Sequence, residues 1–362
     1  MIKVELLKKT LKLISAPDEK AKEEAKKRLD SLAKPIGSLG QLEDIVIKMA
    51  GITGNPHNKI DKRNIVIMCA DNGVVEEGVS ACPQEFTMIL TENMSKGLTG
   101  VSVLSKATNT DLTIVDIGLN GDIEHPSILN KKVNYGTKNF TKGPSMTYEE
   151  GIRAIEIGIE VGDDLFKEGY DILGTGELGI GNTTTSAAVL SAFTGFGPEI
   201  TSGKGAGLTE EQYERKKNAI YQGLKVNKPN KEDPIDVISK VGGFDIAGMC
   251  GLFLSAAKNR KPIVIDGFIS SAAALCAVKF NPLVKEYIFP SHLSKEPGAI
   301  YMMKELGLKP MLNLEMRLGE GSGCPLAFQI IDAALCIMDN MATFEEASIN
   351  SKVLVDIRED KN

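Results

Sequence analysis

Two glutamates stand where glycine-rich turns ought to receive an anion. The stretch "GTGELGIGNTTTSAA", Gly174 to Ala188, combines glycines for close backbone approach, hydroxyls, and the start of an apolar helix whose N-terminus would face a bound anion. The stretch "RLGEGSGC", Arg317 to Cys324, sets Glu320 among three glycines. A carboxylate inside an anion cradle repels its ligand unless it points elsewhere. Two such loops suggest two carboxylates, Glu177 and Glu320, facing one substrate. The first loop lacks the lysine of a P-loop, which argues against a nucleoside triphosphate. Plainer readings stand beside these. Thr183 or Thr184 would simply cap a helix after a tight turn, and Glu320 would cap the helix starting near Pro325 or pair with Arg317.

Further polar residues sit in similar places. "ADNGVVEEGVSACPQEFT", Ala70 to Thr87, puts Asp71 at a strand end and offers Ser80 and Gln84 as hydrogen-bonding groups; alone it reads as a surface loop. "IDGFISSAAA" places Asp266 at another strand end, with Ser270 and Ser271 where capping is the ordinary role. "PSHLSKEPG" holds Ser291, His292 and Ser294 between prolines, and a lone histidine there is expected at the surface, outside any Ser/His/Asp arrangement. His57, His125 and His292 are far apart and lack metal-ligand spacing, so neither a metal nor a cofactor is expected.

Such turns need strands to hold them. From residue 64 onward, "NIVIMCADNG", "LTIVDIGLNG", "YDILGTGELGIGN", "KPIVIDGF" and "PMLNLEMRLGEGSG" each read as a strand ending in a polar turn, with helical patterns between. Apolar strands alternating with helices predict an α/β fold with a doubly wound parallel sheet covered by helices. Ligands bind such sheets beyond the carboxyl ends of the strands, where these turns lie. Residues 1 to about 50 read as helices, one capped by Ser15 or Asp18 and running to Pro35. A net charge of −6 argues against a nucleic-acid partner. Six cysteines without CxxC spacing fit a reducing cytoplasm. The N-terminus does not read as a signal peptide, and no apolar run is long enough for a membrane span.

Taken in order, "KPIGSLGQLE", "ADNGVVEEGVSACPQEFT", "GELGIGNTTTSAA", "GKGAGLTEEQYERKK", "GGFDIAGMCG", "IDGFISSAAA", "SHLSKEPG", "RLGEGSGCPLAFQIIDAA" and "MATFEEA" make the chain resemble the nicotinate-nucleotide–dimethylbenzimidazole phosphoribosyltransferase family. The resemblance implies a Rossmann-like large domain over residues 51–334, a small helical domain built from residues 1–50 and 335–362, and a homodimer. It implies transfer of the 5-phosphoribosyl group of nicotinate mononucleotide to a benzimidazole-type base, with inversion at the anomeric carbon. The family's general base falls on Glu320, its second carboxylate on Glu177 and its phosphate-binding lysine on Lys216. The remaining candidates for substrate binding are Gly179, Gly181, Asn182, Thr183, Thr184, Ser80, Gln84, Ser291, Ser294 and Asp266. Three positions depart from the family pattern: Asn72 and Ala299 replace histidines, and Ile89 replaces a glutamine that touches the base. An apolar Ile89 predicts a broadened base preference.

The chemistry suits two carboxylates. Nicotinate leaves as a neutral ring from a pyridinium, so its departure needs no metal, while the ribose gains oxocarbenium character that a carboxylate stabilises. The attacking benzimidazole must shed a proton, which a second carboxylate accepts. On this reading the glycines around Glu320 let the backbone approach a flat aromatic ring. A non-catalytic sensor of nicotinate mononucleotide would keep the first loop without needing both glutamates. A nicotinamide-dependent dehydrogenase would need GxGxxG after the first strand, and "CADNGVVEEG" does not supply it.

Overall fold

The computed structural model describes residues 5–205, 207–350, 356 and 358. Runs of β-branched and aliphatic residues form the centre of a six-stranded sheet: β1 (Arg63–Ala70), β2 (Asp111–Gly118), β3 (Ile128–Asn130), β4 (Ile172–Leu178), β5 (Ile263–Ile265) and β6 (Ile288–Pro290). The order is β3-β2-β1-β4-β5-β6, and every neighbouring pair is parallel. The chain winds outward one way from β1 and then the other way from β4, so the reversal lies between these two strands. A crevice beyond their carboxyl ends follows from that topology.

Alternation along β1 assigns its two faces. A Cβ on Gly321 would lie 2.8 Å from Ile65 and 3.4 Å from Ile67, whereas one on Gly248 would lie 2.9 Å from Met68. The Glu320 loop and the helix Cys324–Asn340 therefore cover one face, and the helix Phe244–Lys258 covers the other. Helix Tyr148–Lys167 packs on the second of these with almost no spacer, because a Cβ on Gly158 would stand 1.9 Å from the Gly248 carbonyl oxygen. Its start is fixed by a Thr147–Glu150 capping box.

The helical start of the chain is confirmed with a changed boundary. Asp18 caps helix Glu19–Ser31 by accepting the N–H of Ala21 at 2.9 Å, and the helix stops before Pro35. In "KPIGSLGQLE", Lys34 and Glu43 form a buried ion pair at 2.7 Å, and Glu43 also accepts the N–H of Leu39, which pins the turn before helix Gln41–Thr53. Helix Gln41–Thr53 packs against Cys324–Asn340, and the two ends of the chain join through a bridge between Leu32 and Thr343.

One expected strand is absent. "PMLNLEM" forms no sheet element; it makes a single bridge from Leu312 to His292, and Asn313, Leu314 and Glu315 are exposed. Its alternating pattern belongs to an extended surface segment. The edges of the sheet are instead formed by two three-residue strands, β3 and β6, which lie outside every expected strand. Among the described residues no helix is long and apolar enough to cross a membrane.

Candidate active site

The largest constellation of expected residues meets in a cleft of about 310 Å³ at the reversal point. Glu177 is the penultimate residue of β4, and Glu320 lies in the loop that folds over that strand. Glycines bring the two together. A Cβ on Gly176 would stand 2.5 Å from the Glu320 carbonyl oxygen, and one on Gly319 would stand 2.5 Å from Glu177 Oε1. The loop thus rests directly on β4, and its glycines serve this strand–loop contact, with Gly319 also lining the cleft. Gly319, Glu320 and Gly321 all have left-handed backbones, with φ of +84°, +65° and +92°. Glu320 alone carries a side chain there, the kind of conformation that surrounding structure must enforce.

That enforcement is visible. Asp266, just beyond β5, accepts the N–H groups of Gly321 at 3.0 Å and Gly323 at 2.6 Å. Ser291 donates to the Asp266 carbonyl at 2.6 Å and contacts His292 Nδ1 at 3.0 Å. Glu320 itself is held by a helix end: its Oε2 accepts the N–H of Val101 at 3.0 Å, in the first turn of helix Gly100–Ala107. The simpler roles foreseen for Glu320 do not hold. The helix beginning at Cys324 has no side-chain cap, and no ion pair joins Glu320 to Arg317 among the described residues.

The electrostatics are unusual for a crevice that must face water. Burial pushes the Glu177 carboxyl well above the usual range, and the nearby Asp245 and Asp266 push it further. Asn182 donates to Glu177 Oε2, and the backbone N–H of Glu320 faces the same carboxyl; both oppose the rise. Asp266 is pushed up to about 7 by burial, against the pull of the Gly323 and Gly321 N–H groups.

Lys216, on helix Glu210–Asn227, which starts with a Thr209–Gln212 capping box, is fully enclosed and does not itself line the cleft; it lies behind the cleft-lining Thr183. Its ammonium donates to Thr183 Oγ1 at 2.9 Å and to the Gly203 carbonyl at 3.0 Å. Burial lowers its pKa to about 8, partly offset by Glu296. Lys217, one residue on, pairs with Glu214. Lys216 is therefore no member of a solvated basic face. The helix Asn182–Thr194 is capped by Gly181, with φ +92°, and neither Thr183 nor Thr184 acts as its cap.

The other expected residues divide. Gly179, Gly181, Asn182, Thr183, Ser80, Ser294 and Asp266 line the cleft with the two glutamates. Ser291 and Thr184 are buried behind it. Gln84 lines a separate cavity with Asn120 and Tyr135 and faces Asp71. Ile89 is half exposed and does not line the cleft; Leu90 does, which removes the stated basis for a broadened base preference. Ala299 and Asn72 are buried and line neither wall.

His292 corrects the sequence expectation. It is buried, lines the cleft, and is kept neutral because burial lowers its pKa to about 4. Sequence reasoning also missed Glu296, next but one to Ser294, and the apolar wall of Leu90, Leu178, Phe268 and Leu318. Among the described residues no cluster of three or more His, Cys, Asp or Glu side chains is arranged to hold a metal.

A phosphoribosyltransferase family model matches residues 14–349. A protein of Clostridium tetani named nicotinate-nucleotide–dimethylbenzimidazole phosphoribosyltransferase is 59% identical, covering 99% of both chains. One of the same name from Clostridium perfringens is 52% identical over 98% of this chain and 99% of its own. The crystal structure of CobT from Thermus thermophilus superposes with a TM-score of 0.88 at 37% identity, covering 91% of this chain and 99% of that one. With a parallel sheet reversing at the cleft, paired carboxylates and similarity along almost its whole length, the chain belongs to the nicotinate-nucleotide–dimethylbenzimidazole phosphoribosyltransferase family.

Proposed function

We propose that the protein transfers the 5-phosphoribosyl group of nicotinate mononucleotide to 5,6-dimethylbenzimidazole or a related base, releasing nicotinate and forming α-ribazole 5′-phosphate. The observation that carries this reading is the placement of Glu177 and Glu320 in one cleft with an apolar stretch of Leu90, Leu178, Phe268 and Leu318, and a sealed Lys216 bonded to the cleft-lining Thr183 behind it. The 5′-phosphate sits at the Lys216 end, against Thr183, Ser294 and the backbone of the Gly179–Thr184 turn. The flat base lies on the apolar wall, where its methyl groups lose contact with water. Glu320 takes the proton from the attacking base through Oε1, since Oε2 is committed to Val101. Glu177 stabilises positive charge growing on the ribose. Asp266 fixes the Glu320 loop through two backbone bonds. Incubating the protein with both substrates and following nicotinate release with mass spectrometry of the product tests the reading; no release with any benzimidazole removes it.

Three coarser inferences accompany it. Residues 1–50 and 335–362 act as one helical unit against a large unit over 51–334, supported by the Leu32–Thr343 bridge. The working form is a homodimer, supported by the exposed Phe86, Ile89, Leu98 and Val103 and by Leu318 beside Gly100. The protein works in the cytoplasm, a setting in keeping with six unpaired cysteines.

A further inference from the structure

His292 brings an unused hydrogen-bonding atom to the cleft. The residue follows β6, is 5% exposed, and lines the cleft with Gly267 and Ser294. Its two ring nitrogens meet different surroundings. Nδ1 faces the protein: it lies 3.0 Å from Ser291 Oγ and 4.0 Å from Asp266 Oδ1, and a Cβ on Gly323 would stand 2.3 Å from it. Nε2 has no hydrogen-bond partner among the described residues and is not fully enclosed, so it opens onto the cleft.

The hydrogen-bond network assigns the tautomer. Ser291 has one hydroxyl proton, and it goes to the Asp266 carbonyl at 2.6 Å, which can only accept. The contact between Ser291 Oγ and Nδ1 therefore runs the other way, with Nδ1–H donating to the hydroxyl oxygen. The Asp266 carboxyl on the same side of the ring favours a proton there. Burial keeps the ring neutral, so with the proton on Nδ1 the other nitrogen is bare. Nε2 is then a pure acceptor, and leaving it unmet is costly once a ligand expels water from the cleft.

Its position says which ligand group it meets. A Cβ on Gly267 would lie 3.6 Å from Nε2 and 3.9 Å from Ser294 Cβ, so Nε2 and Ser294 flank the same glycine. On the other side, Gly323 and Asp266 join the ring to the Glu320 loop. His292 thus stands between Ser294, placed at the 5′-phosphate, and the loop that carries the base Glu320. In the nucleotide, the ribose is what joins the phosphate to the reacting carbon. At neutral pH the phosphate and the nicotinate carboxylate are acceptors, and the pyridinium nitrogen carries no hydrogen. The 2′ and 3′ hydroxyls are the donors left.

We infer that His292 accepts a hydrogen bond at Nε2 from a ribose hydroxyl of the bound nucleotide, and so makes the site selective for ribose over deoxyribose. The identity of that nucleotide rests on the phosphoribosyl-transfer reading; the bare Nε2 does not. Ser291 and Asp266 act behind the ring, fixing which nitrogen is bare.

The test is equilibrium binding of nicotinate mononucleotide and of its 2′-deoxy and 3′-deoxy analogues, without the second substrate, to wild type, His292→Phe and His292→Gln. Phenylalanine keeps a flat ring and removes the acceptor, whereas glutamine offers a carbonyl oxygen near the place of Nε2. Wild type should bind one deoxy analogue about three- to tenfold more weakly than the parent nucleotide, the usual worth of one neutral hydrogen bond. His292→Phe should erase that difference, weakening the ligands that keep the hydroxyl and sparing the one that lacks it, and His292→Gln should restore part of it. Equal weakening of all three ligands by His292→Phe, or a wild type that does not discriminate among them, overturns the inference. Nitrogen NMR of the imidazole in wild type at pH 7 adds a check that does not depend on a variant folding. Nδ1 should be the protonated nitrogen, and nicotinate mononucleotide should move the Nε2 signal upfield as the bond forms. A protonated Nε2 in the free protein, or a signal indifferent to the nucleotide, also overturns the inference. Wild type that shows the hydroxyl dependence but releases no nicotinate counts against the reaction alone.

Discussion

Single residues carry the chemistry, and each of the key ones is held by something that can be removed. Glu320→Gln keeps shape and removes basicity; kcat with dimethylbenzimidazole should fall by roughly 100-fold or more, the usual worth of a positioned base, with nucleotide binding retained. Glu177→Gln should cost less, since the role proposed for it is electrostatic. Steady-state kinetics checks both, and a Glu320→Gln enzyme turning over near the wild-type rate would refute the assignment. Lys216→Ala should raise KM for nicotinate mononucleotide strongly while Lys217→Ala, whose partner is the surface Glu214, does little. The same lysine has a stability signature. With its folded pKa near 8 and its usual value at 10.5, the burial penalty is full below pH 8 and fades as pH rises towards 10.5. Lys216→Met should therefore melt above wild type at pH 7 and lose that advantage at pH 10.

At the scale of elements, the site depends on a loop lying flat on a strand. Gly176→Ala places a methyl 2.5 Å from the Glu320 carbonyl, where backbone and not a flexible side chain must yield. About 1–3 kcal/mol of stability should be lost, as in other overpacked sites, and kcat should drop about tenfold or more because the base is displaced. Kinetics and melting on one preparation measure both. The strands β1, β2, β4 and β5 were legible because fully buried parallel strands write themselves as unbroken apolar runs ending in polar turns. Glu177 and Glu320 were legible as anions among glycines, but the reason for those glycines was not, since the contact joins residues distant in the chain. His292 was misjudged for a related cause: its burial comes from Asp266 and Gly323, which no local pattern announces. The alternation of "PMLNLEM" misled because an exposed extended segment shows the same period as a half-buried strand.

For the molecule as a whole, the two chain ends clasp each other away from the cleft. Ala33 N–H donates to the Ala342 carbonyl at 2.9 Å, Phe344 N–H to the Ser31 carbonyl at 3.0 Å, and Arg28 reaches the Met341 carbonyl at 3.3 Å. Ending the chain after Asn340 removes these bonds. At about 1 kcal/mol each, the loss should lower the melting temperature by roughly 4 °C. Turnover at 25 °C should change little, because no cleft-lining residue lies beyond Glu320. A large loss of turnover in the folded, truncated protein would mean that the clasp also shapes the site.

With Glu320 as the proposed base, its left-handed backbone sets selection for folding against selection for catalysis. Glycine at that position would relieve strain of about 1–3 kcal/mol and remove a buried anion beside Asp266, at the cost of one helix-capping bond worth about 1 kcal/mol. In a population of variants screened only for stability, position 320 should drift towards glycine. In one screened for making the nucleotide, glutamate should persist, so the residue records which of the two pressures has governed the lineage.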